Sequence, residues 1–112
     1  MRQATRNIAL AALGVGLFGI LLKERCASFG WGGGAETYYS LCYSDVHPLY
    51  QLRGFADNIV PYLHDYQGVY LEYPVLIGIW MWLTSVAIHA LGIADAFNFV
   101  QLTWITSLVL AV

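Results

Sequence analysis

The chain has 112 residues, of which 59% are hydrophobic and 11% are charged, and its mean hydropathy is +0.61. Soluble globular domains have about 45–50% apolar and about 25% charged residues, so this composition excludes a disordered tail and indicates an integral membrane protein. Five basic residues against seven acidic ones leave no cationic surface for nucleic acid. Two cysteines are too few for a disulfide-scaffolded miniprotein.

The first apolar run lies between Arg6 and Lys23, which are separated by 16 uncharged residues. A helix of that length spans ~24 Å, slightly less than a ~30 Å hydrocarbon core, and the flanking cations extend it by snorkelling. We predict a transmembrane helix over residues 6–23. A signal peptide has the same basic start, but no small-residue cleavage site follows, so an uncleaved helix is favoured. Arg2 and Arg6 then place the amino terminus in the cytoplasm.

Two further apolar runs follow a long polar segment. Residues 73–94 hold no charge and are long enough for a span of ~33 Å. We therefore predict a second transmembrane helix over 73–93, with Pro74 in its first turn, where the missing N–H costs nothing. A third run over 96–112 ends without a charged flank. We expect this third helix to be truncated and the chain to be an N-terminal fragment of a larger polytopic protein.

These assignments predict an all-α integral protein of the plasma membrane, with two complete spans, most of a third, and a large extracytoplasmic loop over residues 24–72. In this alternating order the turn at Asp95 returns to the cytoplasmic side. The glycine-rich stretch over 30–34 is interpreted as a flexible exit from the first helix, the alternative being a turn that lets the backbone approach a ligand. A disulfide between Cys26 and Cys42 is permitted on the exported side, unless Cys26 lies in the membrane interface.

The loop concentrates the polar and aromatic side chains. All eight tyrosines lie between Tyr38 and Tyr73, which suits either an aromatic belt at the water–lipid interface or a surface for sugars or lipid headgroups. Residues 44–54 predict a short amphipathic helix that ends at Gly54 in left-handed conformation. Such a helix suits the outer interface and holds Asp45 near the membrane surface.

Other polar residues have two interpretations each. Glu72 stands at the outer mouth of the second span, where a carboxylate either stabilises the helix N-terminus or belongs to a polar site. His89 lies within that span, where a helix–helix hydrogen bond is favoured over a proton relay.

We predict no metal site, because the spacing of the candidate ligands matches no ligand signature. These candidate ligands are Asp45, His47, His64 and Asp65.

The loop and the second span resemble a known family of enzymes. The matching residues, in chain order, are Cys42-Tyr43-Ser44-Asp45-Val46, Leu49-Tyr50, Arg53-Gly54, Val60-Pro61-Tyr62 and Tyr70-Leu71-Glu72-Tyr73-Pro74-Val75-Leu76. This ordered set is similar to the first extracytoplasmic loop of actinobacterial polyprenol-phosphate-mannose-dependent mannosyltransferases, which form glycosyltransferase family 87 of the GT-C superfamily. The similarity covers roughly residues 40–82.

The resemblance implies a multispanning transferase that moves a hexose, mannose in this family, from a polyprenyl-phosphate donor to a glycan or glycolipid acceptor at the outer membrane face. It implies that Asp45 is the general base for the acceptor hydroxyl, a role worth ~10²–10⁴-fold in rate. Arg53, the only basic residue in the middle of the loop, either pairs with the donor phosphate or snorkels to the membrane interface. Glu72, His47 and Tyr73 are further substrate-binding candidates. The expected partners are membrane lipids, the lipid-linked donor and the acceptor, with no nucleic acid and no separate cofactor.

Two other classes stay open. The first is a small non-catalytic membrane subunit or anchor whose outer loop binds a partner. This class is favoured if the natural product has this length, because so short a chain can hardly enclose a lipid-linked donor. A transporter segment is the third option, but its spans lack the broken helices and charges that transporters use.

Overall fold

The computed structural model describes residues 2–29 and 35–111, so the predicted glycine-rich exit over 30–34 lies outside the described residues. Helix α1 is Arg2–Glu24 and continues as a 3-10 turn over Arg25–Phe29. The other elements are α2 (Ala35–Tyr39), α3 (Val46–Leu52), a 3-10 turn (Phe55–Asp57), α4 (Val75–Ala90) and α5 (Ala96–Ala111). The described chain contains no strand, and this confirms the predicted all-α class.

Helix α1 and the turn that follows form one segment, Gln3–Ala27, of 25 residues, within which an 18-residue stretch has a mean hydropathy of 1.7. At 1.5 Å per residue the segment is ~37 Å long, which exceeds a ~30 Å hydrocarbon core. Its apolar side chains are exposed rather than packed in a core. By length and composition, this segment alone among the described helices qualifies as a membrane span, since α4 and α5 have 16 residues each.

The second and third predicted helices are present, with slightly different ends. Helix α4 begins at Val75 because Pro74 has extended backbone (φ −53°, ψ 140°) and lies before the first turn rather than in it. The helix is followed by Gly92, whose left-handed φ of 70° turns the chain. Helix α5 begins after Asp95, which accepts the backbone N–H of Asn98 at 2.8 Å and caps the helix.

Helices α4 and α5 form an antiparallel hairpin that polar side chains join. The indole N–H of Trp80 donates to the hydroxyl of Thr106 at 3.1 Å, and the hydroxyls of Thr84 and Thr103 lie 3.0 Å apart. Both pairs lie on otherwise apolar helices, where hydrogen bonds between side chains fix one helix against the other.

Helix α3 confirms the predicted short helix, with the left-handed Gly54 (φ 75°) after it. Its environment differs from the one expected of an interfacial helix. Leu49 and Tyr50 are buried, and the Tyr50 ring lies 5.1 Å from that of Phe99 on α5. The apolar face of α3 therefore packs on protein rather than on lipid, because the α4–α5 hairpin offers it an apolar surface.

Three side chains of α4 hold the backbone of the segment that follows α3. The indole N–H of Trp82 donates to the carbonyl of Asn58 (3.2 Å). The hydroxyl of Ser85 donates to the carbonyl of Phe55, and the imidazole of His89 donates to the carbonyl of Ala56 (2.9 Å). His89 thus makes the expected structural hydrogen bond, but to a loop carbonyl rather than to another helix. We call this set of contacts the α4 clasp. It fixes residues 55–58 along the second half of α4.

Helix α1 packs against α5 in antiparallel orientation. The amide of Gln101 donates to the Glu24 carboxylate, and the Leu108 side chain fills the space where a β-carbon of Gly16 would stand. The turn at Asp95 therefore lies at the same end of α1 as Glu24. The alternating order predicted from the sequence places these two residues on opposite sides of the membrane, so the structure differs from it at this turn.

Cysteine labelling distinguishes the two arrangements, because both native cysteines are bonded and do not react. The antiparallel packing predicts that Ala94→Cys and Glu36→Cys react with an impermeant maleimide from the same side of a membrane vesicle. Gln3→Cys, at the other end of α1, should react only from the opposite side. Labelling of Ala94→Cys from the side of Gln3→Cys would favour the alternating order instead.

Candidate functional site

Asp45 follows a segment that a disulfide ties to α1. Cys26 and Cys42 are bonded, with Cα atoms 5.2 Å apart, and both are buried together with Val100 of α5. The pairing that the sequence left open is therefore present. Three residues later, Asp45 precedes α3 and makes no side-chain capping bond to it. Its carboxylate interacts with side chains outside that helix.

The Asp45 carboxylate lies near the hydroxyls of Tyr43 and Tyr73 and raises the pKa of both. As a hydrogen-bond acceptor and as a charge, this carboxylate raises the pKa of Tyr43 from 10.0 to about 12, because ionisation would place a phenolate against a carboxylate. Burial and the same carboxylate raise the pKa of Tyr73, which precedes α4. Both phenols therefore stay protonated donors at neutral pH.

Arg53 supplies the positive charge near this pair. Its Nη1 donates to the Leu52 carbonyl at 3.1 Å, whereas its Nε is buried with no hydrogen-bond partner among the described residues. The pKa of Tyr73 is raised overall, and the positive charge of Arg53 offsets part of this rise. The guanidinium therefore lies in the neighbourhood of that hydroxyl. A buried N–H without an acceptor costs about 1–3 kcal/mol.

Two other predicted residues lie beside the cluster. Glu72 is exposed, and its charge adds a small upward contribution to the pKa of Tyr73. His47 is half-buried in the first turn of α3, and burial lowers its pKa, so the imidazole is neutral at pH 7. Asp65 accepts the N–H of Gly68 at 2.8 Å within a turn. Among the described residues, no group of three or more metal-ligating side chains is arranged to hold an ion.

An apolar groove of about 440 Å³ runs between α4 and α5 and ends at this cluster. Val46 and Tyr73 line the groove at that end. Asp45 directly precedes Val46 and its charge raises the pKa of Tyr73, so its carboxylate lies near this end of the groove, which we call the mouth. The rest of the lining is Leu76, Ile77, Trp80, Met81, Thr103, Trp104, Ser107 and Leu110. The site thus combines a polar head with a long apolar cleft.

Tyr62 fixes the chain at the mouth of the groove. Its hydroxyl lies within hydrogen-bond distance of the carbonyls of Tyr73 (2.7 Å) and Pro74 (3.1 Å), to which it donates. Gly78 on α4 provides the space for this ring, because a β-carbon there would overlap the Tyr62 hydroxyl. The contact holds Tyr73 in place just before the start of α4.

The structure brings together three of the five predicted site residues: Asp45, Arg53 and Tyr73. Sequence reasoning missed Tyr43 as a member of the site. The available signal was its position two residues before Asp45, since side chains at i and i+2 of an extended segment share a face. The groove had no comparable signal, because its lining comes from two helices and a loop.

The titration of Tyr43 tests the proximity of its hydroxyl to Asp45. With ¹³C-labelled tyrosine, the Cζ resonance of Tyr43 should show an ionisation midpoint near pH 12, so the phenol is still mostly protonated at pH 11. In Asp45→Asn the carboxylate charge is gone, and the midpoint should fall towards 10. The resonance is assigned from its loss in Tyr43→Phe. A midpoint near 10 in the unsubstituted protein would contradict the contact.

Comparisons of the chain with protein-family models, with curated proteins and with solved structures found no match.

Proposed function

We propose that this chain belongs to a membrane glycosyltransferase that transfers a hexose, mannose by the resemblance, from a polyprenyl-phosphate donor to a glycan or glycolipid acceptor. The observation that carries the proposal is an apolar groove that Val46 and Tyr73 line at one end, where the charges of Asp45 and Arg53 both act on the pKa of Tyr73. A polyprenyl-phosphate sugar has the same division into an apolar chain, an anionic phosphate and a polar sugar.

The donor fits the site in one orientation. Its isoprenoid chain lies along the groove between α4 and α5, where aromatic and aliphatic side chains replace lipid contacts. Its phosphate then lies near Arg53, which is half-buried and whose guanidinium suits phosphate oxygens. The sugar extends beyond the phosphate, towards the carboxylate of Asp45.

Asp45 acts as the general base in this proposal. An acceptor hydroxyl transfers its proton to the Asp45 carboxylate as its oxygen bonds to the anomeric carbon, and the bond between that carbon and the phosphate oxygen breaks. The leaving group is polyprenyl phosphate, whose charge Arg53 stabilises. Tyr43 and Tyr73 orient the carboxylate, because each donates a hydrogen bond to it.

The membrane placement is part of the same proposal. Helix α1 crosses the plasma membrane with the amino terminus in the cytoplasm, as Arg2 and Arg6 favour, and the loop that the Cys26–Cys42 bond closes is extracytoplasmic. The bond between Cys26 and Cys42 supports an exported loop, since disulfides persist in oxidising compartments. The partners are then lipids of that membrane, the lipid-linked donor and the acceptor.

Transfer from a labelled donor tests this function. Membranes that contain the product of the full reading frame to which this chain belongs are incubated with polyprenyl-phosphate [¹⁴C]mannose, and radioactivity is measured in the glycolipid and polysaccharide fractions. A photoreactive polyprenyl phosphate should crosslink to the groove, and Arg53→Gln should weaken this crosslinking. If neither mannose nor any other hexose is transferred and no crosslink forms, the non-catalytic subunit becomes the better interpretation.

A further inference from the structure

A second cavity, of about 310 Å³, lies at the carboxyl end of α1. It shares no lining residue with the groove. Its walls are Gly19, Leu22, Lys23, Arg25, Cys26 and Leu41. Two cations thus stand beside aliphatic side chains, in a space that the disulfide closes on one side.

The side chains that line this cavity carry a positive charge, although the acidic Glu24 lies between Lys23 and Arg25 in the sequence. Glu24 is absent from the lining because Gln101 of α5 binds its carboxylate. Lys23 donates a hydrogen bond to the Leu41 carbonyl, which holds the ammonium group at the rim. Arg25 follows in the first position of the 3-10 turn. The cavity therefore suits an anionic group.

The apolar side of the cavity faces outwards. Leu41 has a left-handed φ of 56°, which is rare for a leucine, and its side chain is 75% exposed. Tyr38 and Tyr39, just before it, are also exposed. Exposed tyrosines and aliphatic side chains next to basic residues are typical of the boundary between lipid and water. At Gly19 nothing lies within 4 Å of the position of a β-carbon, so there is room along α1 for an acyl chain.

We propose that this cavity binds an anionic phospholipid. Lys23 and Arg25 contact the headgroup phosphate, and an acyl chain lies over Gly19 and Leu22 with Leu41 against it. The lipid would then be held at the junction of α1 and the disulfide-linked turn. The proposal requires that α1 lies in a bilayer, but it is independent of any sugar transfer.

Native mass spectrometry of the full chain tests this site. The protein is released from micelles that contain equimolar phosphatidylglycerol and phosphatidylcholine, and the bound lipids are counted. Phosphatidylglycerol adducts should exceed phosphatidylcholine adducts. Each basic residue near a lipid surface contributes roughly fivefold in affinity, so Lys23→Gln with Arg25→Gln should lower the preference on the order of tenfold or more.

Matched variants separate charge from structure. Arg2→Gln with Arg6→Gln removes the same charge at the other end of α1 and should lower the preference less, whereas Lys23→Arg with Arg25→Lys should keep it. Gly19→Leu leaves both charges in place, fills the cavity and should lower retention of the anionic lipid. Intact mass reports whether the Cys26–Cys42 bond has formed in each variant, which shows that this end of α1 is folded.

Three results would overturn the lipid site. The first is equal retention of the two lipids by the unsubstituted protein. The second is an unchanged preference in Lys23→Gln with Arg25→Gln. The third is complete displacement of the lipid by soluble glycerol 3-phosphate, which would mean that the cavity recognises a phosphate without its chains.

Discussion

Replacement of Asp45 by asparagine is expected to lower the rate of sugar transfer by about 10²–10⁴-fold, the usual contribution of a positioned general base. Asparagine has nearly the same size and still accepts hydrogen bonds from Tyr43 and Tyr73, so the mouth of the groove should keep its shape. It does not take a proton from the acceptor hydroxyl. The measurement is transfer of [¹⁴C]mannose in membranes that carry equal amounts of each protein.

The matched control is Tyr43→Phe, which removes one hydrogen bond to the carboxylate but leaves the base. We expect a smaller loss of transfer than in Asp45→Asn. Donor crosslinking should persist in both variants, because the groove and Arg53 are unchanged. Full transfer by Asp45→Asn would remove Asp45 from the catalytic role, whereas loss of both transfer and crosslinking would mean that Asp45 serves the structure of the groove.

Loss of the disulfide is expected to have the largest effect on stability. Sixteen positions separate Cys26 from Cys42, and a closed loop of about 15 residues contributes about 3 kcal/mol through the entropy of the unfolded chain. Cys42→Ser should lower the free energy of unfolding by about this amount. Denaturant titration in detergent, followed by tryptophan fluorescence, measures the change.

Three samples provide the internal control for this prediction. Cys26→Ser, Cys42→Ser and the double variant all lack the bond, so their stabilities should agree closely. Reduction of the unsubstituted protein should produce a similar loss. If reduction leaves the unfolding transition where it was, the bond does not contribute to the stability of the fold.

The sequence predicted α1, α3, α4 and α5 because each depends on local signals. Charges at Arg6 and Lys23 bound the first apolar run, although α1 begins earlier, at Arg2, and Gly54 and Asp95 mark ends that the structure confirms. The short helix α2 was not predicted.

The packing could not be predicted in the same way. Contact of α1 with α5 depends on the match of Gly16 with Leu108, which are far apart in the chain. Hydrophobic periodicity shows that α3 has an apolar face, but it does not distinguish lipid from protein as the partner of Leu49 and Tyr50. The groove could not be predicted either, because its lining comes from residues of several elements that are far apart in the sequence.

The α4 clasp changes how the boundary between water and lipid should be drawn along this chain. A backbone carbonyl inside a bilayer is costly unless a donor from the protein satisfies it. Trp82, Ser85 and His89 supply such donors to residues 55–58, so these carbonyls need no water on the side of α4. The α4 side chains thus replace water as the hydrogen-bond donors of these carbonyls. This part of the polar segment could therefore lie at the depth of the hydrocarbon core, although a hydropathy profile would assign only the helices to it.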